Sequence, residues 1–246
     1  MPPLASLLPR TLLLALLLGW AAPSFAGTKL DLSPHLGGLG MPGDFKVFVR
    51  SDGGQRTLTV LQVEPWKKGW KEIVEEVVTG TADSDGTLLA EAYLIPGKLL
   101  LGGNESHSSG FAIVFRKPVK GLKLRVTPGK LQRTRQKGRL LVDGVEVATA
   151  RLAGEWTTDG FETVTTPSGT YADALRAQAR SVVTFEDRKA GLELVQRSEL
   201  TLWYAVGRGL VKKTTALQVY ENGALLATDS WVEELSAGSS GGVSFP

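Results

Sequence analysis

Apolar and polar residues alternate along much of the chain with a period of two. Leu192, Leu194, Leu200, Leu202 and Tyr204 share one face of an extended segment, while Glu193, Arg197, Glu199 and Thr201 share the other. This is the pattern of a β-strand with one dry and one wet face. Leu210–Tyr220 and Ala224–Leu235 continue it on either side of Glu221-Asn222-Gly223, and Gly138–Ala150 repeats it around Asp143-Gly144. Each predicts a hairpin, because Asn-Gly and Asp-Gly accept positive φ at both central positions of a tight turn. Further turn pairs stand at Asp52-Gly53, Asp85-Gly86, Pro96-Gly97, Pro128-Gly129 and Asp159-Gly160, with short runs rich in Val, Leu and Thr between them. Together these features predict an antiparallel, mainly β domain.

The stretch LTLWYAVGRGLVKK (Leu200–Lys213) joins two of these strands. Tyr204 closes one, Leu210 opens the next, and Ala205–Gly209 bend between them, with Gly207 and Gly209 free to take positive φ. Trp203 and Tyr204 are adjacent and so point to opposite faces, which rules out a shared aromatic platform. Residues 66–78 support two readings. Trp66, Trp70, Ile73, Val74, Val77 and Val78 make a helical stripe, but paired β-branched residues and the nearby Asp83-Ser84-Asp85-Gly86 turn favour a strand, with Leu88–Ile95 as its hairpin partner. Strand is preferred, leaving at most one short helix. Past Leu235 the composition turns Gly/Ser-rich, and residues 236–246 are expected to form a flexible tail.

The first 26 residues read as a secretory signal: Arg10, the apolar run Thr11–Ala22, then Pro23 and the small-residue pattern Ser24-Phe25-Ala26. The run is 12 residues long, against the ~20 that span a bilayer. Cleavage after Ala26 leaves a mature chain from Gly27 with no transmembrane anchor, in the periplasm or secreted. Residues 27–235 then form a single β domain, large enough to bury a core of its own. Cysteine is absent. Disulfides, thiolate metal sites, a cysteine nucleophile and lipidation of an N-terminal cysteine are therefore excluded, and an exported chain without disulfides fits a bacterial periplasmic protein.

Charge changes the picture in one place. The formal net charge is +3, but Arg116–Arg139 carries ten Lys or Arg and no acid, which leaves the rest of the mature chain acidic. Lys123 and Arg125 alternate with Leu122, Leu124 and Val126, the mark of a solvated strand face. Arg133, Arg135, Lys137 and Arg139 are the stronger candidates to meet lipid headgroups or another anionic envelope component. No aromatic residue interleaves the block, which argues against nucleic acid as a partner.

Reactive chemistry is scarce. The two histidines, His35 and His107, lie in loop-like contexts, with no Gly-x-Ser-x-Gly elbow and no metal-ligand spacing to acids. Asp83-Ser84-Asp85-Gly86-Thr87 opens like a calcium loop, but Leu94 stands where the twelfth-position glutamate belongs. Gly207-x-Gly209 lacks the following helix of a nucleotide site. No cofactor or metal is expected and catalysis is disfavoured, a glycosidase using two carboxylates being the remaining enzymatic alternative.

Two segments resemble a diffuse group of exported bacterial β-rich proteins. Thr166-Pro167-Ser168-Gly169-Thr170-Tyr171 is similar to that group's Val-Pro-Ala-Gly-Thr-Phe turn. Trp203-Tyr204-Ala205-Val206-Gly207-Arg208-Gly209-Leu210-Val211-Lys212 is similar to its Trp-Tyr-Ala-Pro-Gly-Val-Gly-Leu-Val-Lys hairpin, departing at Val206 and Arg208. Pro42–Phe48 resembles the group's N-terminal entry, with Lys46 in place of a tryptophan. The likeness covers the C-terminal third and the N-terminal entry, and the basic block lies in the unmatched middle. It implies a strongly curved sheet, a half-barrel or open barrel, by distant analogy to periplasmic lipoprotein and lipid carriers. The expected function is a non-enzymatic envelope protein that binds a lipid or other amphipathic ligand. Leu192, Leu194, Leu200, Leu202 and Tyr204 would line the ligand side or the core beneath it, and Arg133, Arg135, Lys137 and Arg139 would face headgroups. The alternative is a structural or protein-interaction module with no small ligand, marked by a filled interior.

Overall fold

The computed structural model describes residues 29–35, 40–80, 86–95, 98–106, 110–240 and 242–245. The expected signal segment (residues 1–26), His107 and the expected turn at Asp83–Asp85 lie outside the described residues. Among those described there is no helix. The strands are β1 (Leu30–Asp31), β2 (Phe45–Arg50), β3 (Gln55–Trp66), β4 (Gly69–Thr79), β5 (Gly86–Ile95), β6 (Lys98–Ser106), β7 (Phe111–Phe115) and β8 (Val119–Lys123). They continue with β9 (Arg125–Val126), β10 (Gln132–Val142), β11 (Val145–Thr166), β12 (Gly169–Asp187), β13 (Leu192–Ala205), β14 (Gly209–Glu221), β15 (Ala224–Ser240) and β16 (Val243–Phe245).

Twelve of them form one curled antiparallel half-barrel sheet, in the order β14-β13-β12-β11-β10-β7-β6-β5-β4-β3-β2-β15. β16 extends β15, β8 pairs with β6, and β1 and β9 make a separate small ladder. β15 changes neighbour partway along. Ala224–Glu234 pair with β14, and Glu233–Gly238 pair with β2. The ladder therefore returns to β14, the strand it started from. Irregularities at Thr158/Gly160 and Glu162/Val164 in β11, and a bulge at Val211 of β14 opposite Trp203/Tyr204, bend these strands.

The local readings of the chain hold. Asp143 and Gly144 take φ of 49° and 79°, and Asn222 and Gly223 take 46° and 84°, as a two-residue hairpin turn demands. Gly207 and Gly209 have φ of 68° and 70° at the corner between β13 and β14. The ambiguous segment is strand β4, paired with β5 from Trp70↔Leu94 to Val78↔Gly86. One expectation fails. Ser236–Ser240 are not a flexible tail but the end of β15, and Val243–Phe245 form β16. Small residues are what this strand end requires: a Cβ on Gly238 would come within 2.6 Å of the Phe45 carbonyl oxygen.

The inward face follows the period of two. Trp156, Ala179, Leu200, Thr215 and Trp231 stand opposite one another across β11 to β15, and all are buried. Large and small side chains alternate along this row, which suits interdigitated packing. Leu194 and Leu202 belong to the same core, with Phe111, Leu140 and Phe185. A second cluster gathers Phe48, Val211, Leu235 and Phe245 near the strand ends.

The adjacent inward row is charged. Lys213, Glu233 and Arg50 are register neighbours where β15 changes partner. Arg56 Nη1 donates to Glu233 Oε2 at 2.9 Å, and Arg56 Nη2 donates to Glu76 Oε2 at 3.0 Å. Lys213 Nζ lies 2.7 Å from Glu233 Oε2, and Trp231 Nε1 donates to Glu233 Oε1 at 2.8 Å. Arg50 stacks over Trp231, 4.6 Å from the ring centroid, and pairs with Asp52. Glu233 is 0% exposed. Burial disfavours its charge, but Lys213, Arg56 and the Trp231 hydrogen bond outweigh that and hold its pKa down to about 2. Lys213 goes the other way: burial and Arg56 push it down to about 8 despite Glu233 and Glu76. Glu233→Gln leaves Arg56 and Lys213 buried without their shared counter-charge, and is expected to cost about 3–5 kcal/mol at neutral pH by urea denaturation. The folded pKa of Glu233 lies below its ordinary 4.5. Its stabilisation is therefore complete above pH 4.5 and lost as pH falls towards 2, about 3 kcal/mol in all. The variant should lack this acid limb.

Candidate functional site

The other face of β11 to β15 carries a groove of about 590 Å³. Two register rows form its floor. Glu155, Arg180, Glu199, Ala216 and Ser230 make one, and Gln178, Thr201, Thr214 and Val232 make the other. These positions alternate with the buried row of Trp156, Leu200 and Trp231, so their side chains point outward. The groove crosses five strands at right angles, which makes it roughly 19 Å long at ~4.8 Å per strand gap. Leu131 closes one end and Ser51 the other. Ser51 is fixed there by two hydrogen bonds to the Val232 main chain, each of 2.9 Å.

Its chemistry is mixed. Arg180 and Glu199 form an exposed pair at 2.9 Å. Thr201, Thr214, Ser230 and Gln178 add hydrogen-bonding groups, while Leu131, Ala216 and Val232 supply apolar surface. Glu155 lines the groove and pairs with Arg133 of β10 at 2.7 Å, which joins the groove to the basic strand. On the opposite rim Arg176, Trp203, Lys212 and Glu234 follow one another across β12 to β15. Trp203 donates from its indole nitrogen to Glu162, and Lys212 Nζ meets Glu234 at 2.5 Å.

Asp159, the extra residue of a bulge in β11, supports this rim. Its Oδ2 accepts from Gln178 Nε2 at 3.4 Å and lies 3.6 Å from Arg176 Nε. Oδ1 is buried with no hydrogen-bond partner among the described residues. Burial pushes its pKa up to about 6, with Arg176 opposing and Glu162 adding to the rise.

The expected apolar site residues divide. Leu194, Leu200 and Leu202 are 1%, 7% and 5% exposed and fill the core, and half-buried Tyr204 packs against it. Burial raises the Tyr204 hydroxyl pKa. Leu192 is half-buried at the start of β13. Of the five, Leu200 alone reaches the groove, as part of its floor. The basic quartet is brought together: Arg133, Arg135, Lys137 and Arg139 all project from the exposed face of β10. Arg133 is paired with Glu155, and Arg139 with Glu146 at 3.4 Å. The groove residues Glu199 and Thr201 read in the sequence as ordinary wet positions, and nothing local marks them. The ion cluster did leave a signal: Lys213 and Glu233 fall on the dry face of their strands, where charge is rare unless paired.

Asp159→Asn tests the rim. Asp159 binds its proton more tightly folded than unfolded, so its contribution to stability falls as pH rises from 3.8 through about 6. The thermal midpoint of the variant should therefore gain on the parent between pH 4 and pH 7.

Comparison with known proteins bears on the fold. No family model matches the chain, and no curated protein is similar to it. A crystal structure from Bacteroides fragilis, of a protein inferred to be exported and described as having a YmcC-like fold, is 14% identical. The match covers 81% of this chain and 97% of that one, with a TM-score of 0.51. A second, from Parabacteroides distasonis and inferred to be a lipoprotein, is 15% identical over 81% and 96%, with a TM-score of 0.52. The curled antiparallel sheet described above is the fold that this chain shares with both.

Proposed function

We propose that the protein is an exported, non-enzymatic envelope component that acts as a binding module through its outer-face groove. The groove itself carries the reading: roughly 19 Å of concave surface, with hydrogen-bonding and charged groups along it and apolar side chains at one wall and across its floor. That chemistry suits an extended amphipathic ligand. Export is supported by the signal-like order of residues 1–26 and by the inferred location of the two proteins that share the fold. The interior is occupied by Trp156, Phe111, Phe185 and the ion cluster, which favours the groove over an internal lipid cavity. The absence of cysteine means that lipidation of an N-terminal cysteine is not available to hold the protein at a membrane.

Ala216 is exposed on the groove floor, and Ala216→Trp fills the space without touching the core. Native mass spectrometry of the protein purified from its own envelope should show a bound species that this variant lacks, at an unchanged thermal midpoint. Bare protein in both samples would sink the reading.

A second surface follows from β10. Arg135 and Lys137 are exposed and, among the described residues, have no carboxylate partner, unlike Arg133 and Arg139. We assign them to an anionic envelope component. Replacing both with Gln should lower binding to phosphatidylglycerol vesicles at low salt by about tenfold or more, at ~1 kcal/mol per residue. Replacing Arg133 and Arg139 should have the smaller effect, since each already has a counter-ion. Equal effects would show that the strand acts only through its overall charge.

A further inference from the structure

A separate cavity of about 160 Å³ lies on the inward side of β2, β3 and β4, where Gly40 and Ser239 close the end of the sheet. Its apolar wall is Leu58, Val60 and Val74. Three ionisable groups meet it, and they are not equivalent. Asp44 is engaged in the framework: Met41 N–H donates to its Oδ2 at 2.8 Å, and Ser239 Oγ and Gly242 N–H donate to its Oδ1 at 2.9 and 3.0 Å. Glu72 accepts from Gly40 N–H through Oε1 at 3.1 Å. Among the described residues, no group donates to its other oxygen. Lys46 has no carboxylate within ion-pairing distance among the described residues, although it lies on the inward face and lines the cavity.

Lys46 and Glu72 are both half-buried, and an ammonium partly withdrawn from water with no carboxylate in contact is costly. Burial pushes Lys46 down to about 8, with Glu72 and Asp44 pulling the other way. Burial likewise raises Glu72, the Gly40 hydrogen bond and Lys46 opposing and Asp44 adding to the rise. The walls preserve the space. A Cβ on Gly40 would sit 2.6 Å from Val60 Cγ2 and 3.0 Å from Glu72 Oε1. At ~30 Å³ per water the cavity holds about five waters, or one molecule of a few heavy atoms.

We propose that this cavity binds a small zwitterion of amino-acid size, its carboxylate taken by Lys46 and its ammonium by the open oxygen of Glu72. An anion alone would leave Glu72 unmatched, and a cation alone would leave Lys46 unmatched. A zwitterion satisfies both and adds no net charge to a half-buried space. The site is distinct from the outer groove and does not rest on the reading given to it.

The test is amide chemical-shift titration of the full domain with glycine, β-alanine, 4-aminobutyrate, acetate and methylammonium. At least one zwitterion should shift Phe45, Lys46 and Ser239 saturably, about tenfold more tightly than acetate or methylammonium. Its affinity should fall as pH rises through about 8, where Lys46 loses its charge. Lys46→Met and Glu72→Gln should each weaken it about tenfold, whereas Ala216→Trp in the groove should leave it unchanged. If a variant does not fold, the ranking of probes on the parent protein decides the matter. Acetate binding as tightly as the zwitterions would reduce the site to an anion pocket and overturn the proposal. So would the absence of any saturable shift, which would mark a water-filled cavity.

Discussion

Glu233 is the point on which the closure of this sheet depends. β15 leaves β14 and joins β2 at this residue, so its neighbours in the ladder are Lys213 on one side and Arg50 on the other. Its carboxylate meets Lys213 and Arg56 at 2.7 and 2.9 Å, and Arg56 continues to Glu76 on β4. Five strands are thereby tied through one buried anion. Such a network adds little stability over an apolar replacement, because both signs of charge must be stripped of water. What it enforces is register. Any slip of β15 against either neighbour separates at least one full charge from its partner in a low-dielectric interior, and the cost of that is several kcal/mol.

This constraint and the outer groove are two faces of the same strands. The rows Trp156–Ala179–Leu200–Thr215–Trp231 and Leu202–Lys213–Glu233 fill the inside. The intervening residues, from Glu155 and Gln178 to Ser230 and Val232, are turned outward by the same alternation. Bulges in β11 and β14 bend the strands, and Leu131 and Ser51 stand at the two ends, so that the outward rows enclose a concave space. A filled interior and an external groove follow from one packing arrangement, which is why the concave surface lies on the outer face of the sheet.

The two inward-facing charge groups differ in character. In the Glu233 cluster every member has an opposite charge in contact. In the Lys46 cavity the cation and the open carboxylate oxygen face a space rather than each other. Phe48 and Leu58 lie on the inward face of β2 and β3, in the stretch that carries both groups. The first arrangement is complete as it stands and serves architecture. The second leaves hydrogen-bonding capacity open to the cavity, which is the feature the zwitterion proposal rests on.

Much of the fold was legible in the chain because strand and turn preferences are local. Asp143-Gly144 and Asn222-Gly223 dictate hairpins through their own φ, and Leu200 and Leu202 declare an inward face through spacing alone. The segment around Ile73 and Val77 resolved to strand once β-branching was weighed against its helical stripe. Other features depend on residues distant in sequence. Arg56 and Glu233 are 177 positions apart, and no local pattern pairs them. The Gly/Ser-rich end looked mobile because small residues favour disorder in isolation, yet Gly238 is needed where β15 passes close to β2. Glu199, Thr201 and Ser230 looked like solvated positions, and only the bending of neighbouring strands gathers them into one groove. Alternation thus determined which side chains point inward, since that depends on each residue and its immediate neighbours. Tertiary structure alone decided what those side chains meet, because closing the sheet is a long-range choice among strand partners.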